Sequence, residues 1–141
     1  MSEKIWMGGI YLKEEGGYQI ILKSLTHYKK RLQTIHASPE LKEAAAMFAP
    51  VLQSQAKKRI PMIENAIDKI KMFLLDSTTS ELLKQELEIL EKALECRKSD
   101  IEKAENTANE YFIKLLGEIQ ESKKDIGPIN NALKKIKEYL E

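Results

Sequence analysis

The chain has 141 residues, 43% hydrophobic and 32% charged, which is enough apolar material for one packed domain and too little for two. Six glycines and four prolines are too few for the turn-rich texture of a β-sandwich, and a sequence dominated by Ala, Leu, Ile, Glu and Lys favours long helices. A formal net charge of +1 excludes the global field that draws a protein to nucleic acid or anionic membrane.

The first apolar run is Ile5-Trp6-Met7-Gly8-Gly9-Ile10-Tyr11-Leu12, followed at once by Lys13-Glu14-Glu15. It is short and lacks a small-residue cleavage site, so it does not read as a signal peptide. Residues 1–16 are expected to be a flexible or loosely packed segment of a single domain spanning 1–141. Within it Trp6, Met7 and Tyr11 are candidate partner-binding residues, because tryptophan is a frequent interface anchor. The alternative is that Trp6 plugs one end of a bundle.

Apolar residues then fall at Tyr18, Ile21, Leu25, Tyr28, Leu32 and Ile35, in steps of three and four. That is the stripe of a helix packed lengthwise on a neighbour; Gly16-Gly17 marks a break or fraying at its start, and a helix reaching back to Leu12 is the alternative. Ser38-Pro39-Glu40-Leu41 supplies a capping serine, a proline at the first helical position and an acid in the first turn, which announce a second helix. Its broad apolar face includes Leu41, Ala45, Phe48, Leu52, Ile63, Ile67, Ile70 and Leu74. Pro50 and Pro61 lie inside it, so a kink or division is expected, with Pro61 the favoured place.

Asp76-Ser77-Thr78-Thr79-Ser80 is a polar turn. The stripe Leu83, Leu87, Leu90, Leu94, Arg97, Ile101, Ala104, Ala108, Tyr111 and Leu115 predicts a third helix from Ser80 to Lys124, about 65 Å long. Gly127-Pro128 should end it and leave Ile129, Leu133, Ile136 and Leu140 on a short last helix. A single helix kinked at the Gly-Pro pair is the alternative, since the apolar phase continues across it. The expected class is all-α: an antiparallel bundle of three to four long amphipathic helices with coiled-coil-like packing. In such a bundle the first helix covers only the early part of the second. Residues 62–96 then project as an apolar two-helix arm, and a homodimer through that arm is expected.

No stretch of about 18 apolar residues occurs, so no transmembrane segment is expected. The single cysteine, Cys96, excludes a disulfide framework and favours a reducing, cytoplasmic location. It reads as a buried, inert thiol. Charge is uneven: residues 1–59 carry +5 and residues 60–141 carry −4, which favours internal complementarity between the two parts. Arg97 interrupts an apolar stripe, so it should meet a carboxylate from another helix or chain, or reach out to solvent along its stem.

Two basic triplets, Lys29-Lys30-Arg31 and Lys57-Lys58-Arg59, share a helical frame and are candidate anion-binding groups. His27 has Lys23 and Arg31 four residues to either side, an arrangement that repels a cation, and no Glu-x-x-His occurs, so no metal and no cofactor are expected. Arg31-Leu32-Gln33-Thr34-Ile35-His36 resembles the Arg-x4-His motif of HEPN-type ribonucleases, which are small helical bundles. The resemblance implies that His36 handles a proton and Arg31 a phosphate. It covers six residues; the motif here ends the first helix rather than lying late in the domain, and Ser38 replaces the aromatic that often follows. Without that resemblance, Arg31 and His36 are a cation and an imidazole at a helix C-terminus, stabilised by its dipole. The function expected from the residues is a non-enzymatic protein-protein interaction or scaffold bundle with a protein partner. A nucleic-acid-associated helical protein, with or without cleavage by Arg31 and His36, is the alternative.

Overall fold

The structure, a computed structural model, describes residues 4–6, 17–35, 48–75, 81–107 and 110–140. These form, in order, β1 (Lys4–Trp6), α1 (Tyr18–Gln33), α2 (Ala49–Leu75), β2 (Glu81–Leu83), α3 (Lys84–Thr107), α4 (Glu110–Leu116), α5 (Ile119–Lys123) and α6 (Ile126–Leu140). The described chain is almost wholly helical, and no helix in it is long and apolar enough to cross a membrane.

α1 starts where the glycine pair predicted, after Gly17 with φ of 65°, a left-handed backbone that favours glycine. Its inner face, Tyr18, Ile21, Leu25 and Tyr28, is buried and lies against two neighbours at once. It runs antiparallel to α2: the Tyr18 ring meets Phe73 edge-on at 5.0 Å, and further along Arg59 donates to the Tyr28 hydroxyl at 3.1 Å. It runs parallel to α3, with His27 and Arg31 both reaching Asp100. α3 is antiparallel to α2, to which Lys69 and Glu86 join it. α6 packs on α3 from another side with Ile129, Ala132, Leu133 and Ile136 buried.

α2 is continuous through Pro61. The ring is solvent-exposed, so the carbonyl one turn earlier, deprived of its helical donor, faces water rather than the core. Pro50 stands in the first turn of α2, where a missing N–H is harmless. The predicted start of the second helix at residues 38–41 lies outside the described residues.

Three expectations are corrected. First, α1 does not stop at the early part of α2. The Tyr18–Phe73 contact places its first residue against the last turn of α2, so α1 lies along the segment expected to project. Ile63, Ile70, Leu87, Leu90 and Leu94 are fully buried within one chain, at about 1.5–3 kcal/mol each, and need no second copy for that.

Second, the third helix is not one 65 Å rod. α4 ends at Gly117, whose φ of 75° and N–H bonded to the Ile113 carbonyl at 2.9 Å make a left-handed helix stop. A second turn follows at Lys124-Asp125, where the two N–H groups bond to Glu121 and Ser122 carbonyls. Gly127-Pro128 does not end a helix. Both residues sit in the first turn of α6, where the proline loses no bond, and glycine accepts the helical backbone before proline that a larger residue resists.

Third, residues 4–6 within the expected loose segment form β1, an antiparallel partner of β2 with Lys4 opposite Leu83 and Trp6 opposite Glu81. β2 occupies the place expected for the first turn of the third helix, which begins at Lys84 instead.

At Gly117 a Cβ meets nothing within 4 Å, so the conformation alone opposes a side chain. Gly117→Ala is expected to lower unfolding free energy by about 1–2 kcal/mol, measured by urea titration; an unchanged midpoint would remove this account of the helix break.

Candidate functional site

The polar centre of the bundle is built from α1, α3 and the α5–α6 turn. α1 presents Ser24, His27 and Arg31 on one line, in steps of three and four; α3 presents Cys96, Arg97 and Asp100. The parallel register of the two helices brings the lines together. Asp100, 1% exposed, accepts on one oxygen from His27 Nε2 at 2.8 Å and from Arg31 Nε at 2.9 Å. The Cys96 thiol points at the same oxygen from 3.8 Å.

On the other side of the imidazole, Arg97 NH1 lies 3.4 Å from His27 Nδ1. A guanidinium only donates, so Nδ1 accepts and Nε2 carries the proton given to Asp100. Arg97 is 6% exposed and meets a carboxylate on another helix boundary, as its place in the stripe predicted. Its Nε and NH2 donate to Asp125 Oδ2 at 3.2 and 2.9 Å. Lys23 reaches the same oxygen at 2.8 Å. A buried cation is tolerated because Asp125 balances its charge and each of its three nitrogens makes a hydrogen bond.

The network continues at the end of α1. Arg31 lies over the rings of Tyr111 and Phe112, at 5.2 and 5.4 Å from their centroids, which adds cation–π attraction. Thr34 donates to the Lys30 carbonyl and receives the Tyr111 hydroxyl, both at 2.8 Å. Lys23, Lys29 and Arg31 all meet carboxylates from residues 60–141: Asp125, Glu64 and Asp100. The charge asymmetry of the sequence is used, at these positions, to hold the chain together. Ser24 Oγ is buried without a hydrogen-bond partner among the described residues.

His27, Cys96 and Asp100 offer ligand atoms within 4.8 Å of one another, the grouping that a metal ion would need. The surroundings do not suit one. Arg31 and Arg97 stand against the carboxylate and the imidazole, and burial, followed by the Asp100 charge, pushes the Cys96 thiol up from 9.0 to about 12. At neutral pH this sulfur is therefore the protonated thiol and not the nucleophilic thiolate.

Of the candidate residues, Trp6 lies in β1 opposite Glu81, while Met7, Tyr11 and His36 fall outside the described residues. The triplets divide. Arg31 turns inward to Asp100 and Arg59 to Tyr28, and that last contact sets the triplets side by side on the antiparallel α1 and α2. Lys29 pairs with Glu64 at 3.7 Å; Lys30, Lys57 and Lys58 are exposed. The charged centre itself, Asp100 and Asp125 with His27, was not assembled from the sequence. The signal was present as polar residues at helical spacing on α1, but the register between α1 and α3 was not.

Two clefts flank α1. One, about 650 Å³, lies between its end and the start of α2, lined by Leu32, Ile35, Pro50, Lys57 and Ile60 among others. The other, about 560 Å³, lies against α3 and α4 and includes Lys23, Lys30 and Arg97. No family model, no curated protein and no solved structure matches the chain.

Asp100→Ala leaves His27 and Arg31 without their acceptor and Asp125→Ala leaves buried Arg97 without its carboxylate, so each should cost about 3–5 kcal/mol of stability, against under about 1 kcal/mol for Glu64→Ala at the exposed Lys29 pair; equal losses for all three in urea titration would contradict this ranking. Cys96 should also give an alkaline signature. The unfolded thiol ionises near 9.0 and the folded one near 12, so its contribution is complete below 9 and lost as pH rises between the two. Wild type should therefore lose stability relative to Cys96→Ala across that window, read as a shrinking gap between urea midpoints.

Proposed function

We propose that the chain is a non-enzymatic interaction bundle, a scaffold that engages a protein partner through the outer side of α2. One observation carries this reading. Of the six large hydrophobic residues exposed among the described ones, five belong to residues 48–75: Phe48, Val51, Met72, Leu74 and Leu75, the last at 89% exposure. They stand in two groups, Phe48 and Val51 at the start of α2 and Met72, Leu74 and Leu75 at its end, and exposed apolar patches favour an interface. The internal use of Asp100, Arg31 and Arg97 supports the same view, since those groups are engaged with one another. Coiled-coil-like packing of the helices belongs to this reading, supported by burial at Ile63, Ala66, Ile67 and Ile70 in steps of three, one and three.

A homodimer is the simplest form, with Met72, Leu74 and Leu75 at the end of α2 as the contact within residues 62–96. It predicts a mass in light scattering that rises from one chain to two with concentration, and a single-chain mass at every concentration for Met72→Glu/Leu75→Glu. A wild-type mass of one chain throughout would exclude the second copy as partner. Nucleic-acid association is the second reading, favoured by the placement of Lys29-Lys30 beside Lys57-Lys58 across the Tyr28–Arg59 contact. It requires salt-sensitive retention on heparin that Lys57→Glu/Lys58→Glu abolishes; elution of wild type at low salt would exclude it.

A further inference from the structure

We infer that the cleft between α1, α3 and α4 is a binding site for a small phosphomonoester with an apolar group. The charged residues that line it are all cations: Lys23 and Lys30 from α1 and Arg97 from α3. Thr26 adds a hydroxyl and His27 its ring edge. The one carboxylate paired with these cations among the described residues is Asp125, which takes both Lys23 and Arg97. Three cations against one carboxylate leave two positive charges, matching the charge of about −1.5 to −2 that a phosphomonoester carries at neutral pH.

The geometry suits the same group. Arg97 is held rigidly: Asp125 takes Nε and one NH2 hydrogen, and His27 takes one NH1 hydrogen. Each terminal nitrogen keeps a second hydrogen, and a guanidinium already oriented loses little freedom on meeting an oxyanion. Lys23 and Lys30 stand about two helical turns apart on α1, at either side of Thr26, and Lys30 is free to swing over a bound group because it is exposed. The apolar part of the lining is Leu22 of α1 with Leu115 and Leu116 of α4, all half-buried. The cleft, about 560 Å³ and open to solvent, combines an apolar lining with a few placed polar groups, as small-molecule sites do. Inorganic phosphate satisfies the cations alone; an ester with an apolar substituent also covers the leucines.

The cleft takes no residue from α2, so this inference and the proposed α2 interface stand or fall separately. Calorimetric titration of the full chain with phenyl phosphate should saturate, with inorganic phosphate weaker by roughly threefold or more for want of the apolar contact. Lys30→Glu, on an exposed side chain outside the core network, should weaken phenyl phosphate by about tenfold or more. Thr26→Ala should weaken it to a smaller degree, while Lys57→Glu, on the opposite flank of α1, should leave it within about twofold. Amide resonances of Leu22, Thr26, Leu115 and Leu116 should shift on titration. Absence of saturation, equal affinity for the two phosphates, or equal loss in Lys30→Glu and Lys57→Glu would each overturn the assignment.

Discussion

A single carboxylate oxygen of Asp100 gathers the imidazole of His27 and the guanidinium of Arg31, and through them fixes where α1 lies along α3. Apolar stripes alone define this poorly, because a helix slid by one turn still buries an Ile against a Leu. A buried charge does not tolerate that slide, since each mismatched register leaves a desolvated ion without a partner. The Asp100 contacts therefore select one alignment from several of similar apolar content. Arg97 then repeats the device toward Asp125, so the α5–α6 turn is placed by the same helix that places α1.

The consequence for chemistry is a thiol held in its protonated form at neutral pH. Cys96 and His27 are adjacent, as in a thiol nucleophile site, yet burial, and after it the charge of Asp100, raises the thiol instead of lowering it. The cations that would activate a thiolate are engaged with carboxylates of their own. At the edge of that network Arg97, though buried, and the exposed Lys23 both line the cleft beside α4. The same ion pairs thus hold the helices and fix the cations of the cleft, which ties the proposed ligand to the stability of the α6 junction.

Much of the helical architecture was legible in steps of three and four residues. Tyr18, Ile21, Leu25 and Tyr28 marked the inner face of α1, and Leu87, Leu90, Leu94 and Ile101 that of α3, because burial of one side of a helix leaves that spacing in the chain. Arg97 was legible too, as a charge in an apolar stripe that needed an acid. Gly117 was hidden: Leu115 and Ile119 keep the spacing across it, so periodicity alone reads through a backbone reversal of φ. The ladder between β1 and β2 was hidden because three residues carry too little alternation to signal a strand, and the two partners lie far apart in the chain. Asp100 was one acid among many; its importance depends on the alignment of α1 with α3, which is set by long-range packing and not by either helix on its own.

The distance along the chain between the partners has a temporal meaning. His27 and Asp100 are 73 residues apart, and β1 waits for β2 across almost the whole of α1 and α2. During synthesis α1 and α2 are made before the acid that anchors α1, and His27 can meet its partner only once Asp100 has been added. Bundles joined by nearest neighbours assemble quickly; a parallel α1–α3 contact of this span makes closing a long loop part of the rate-limiting event.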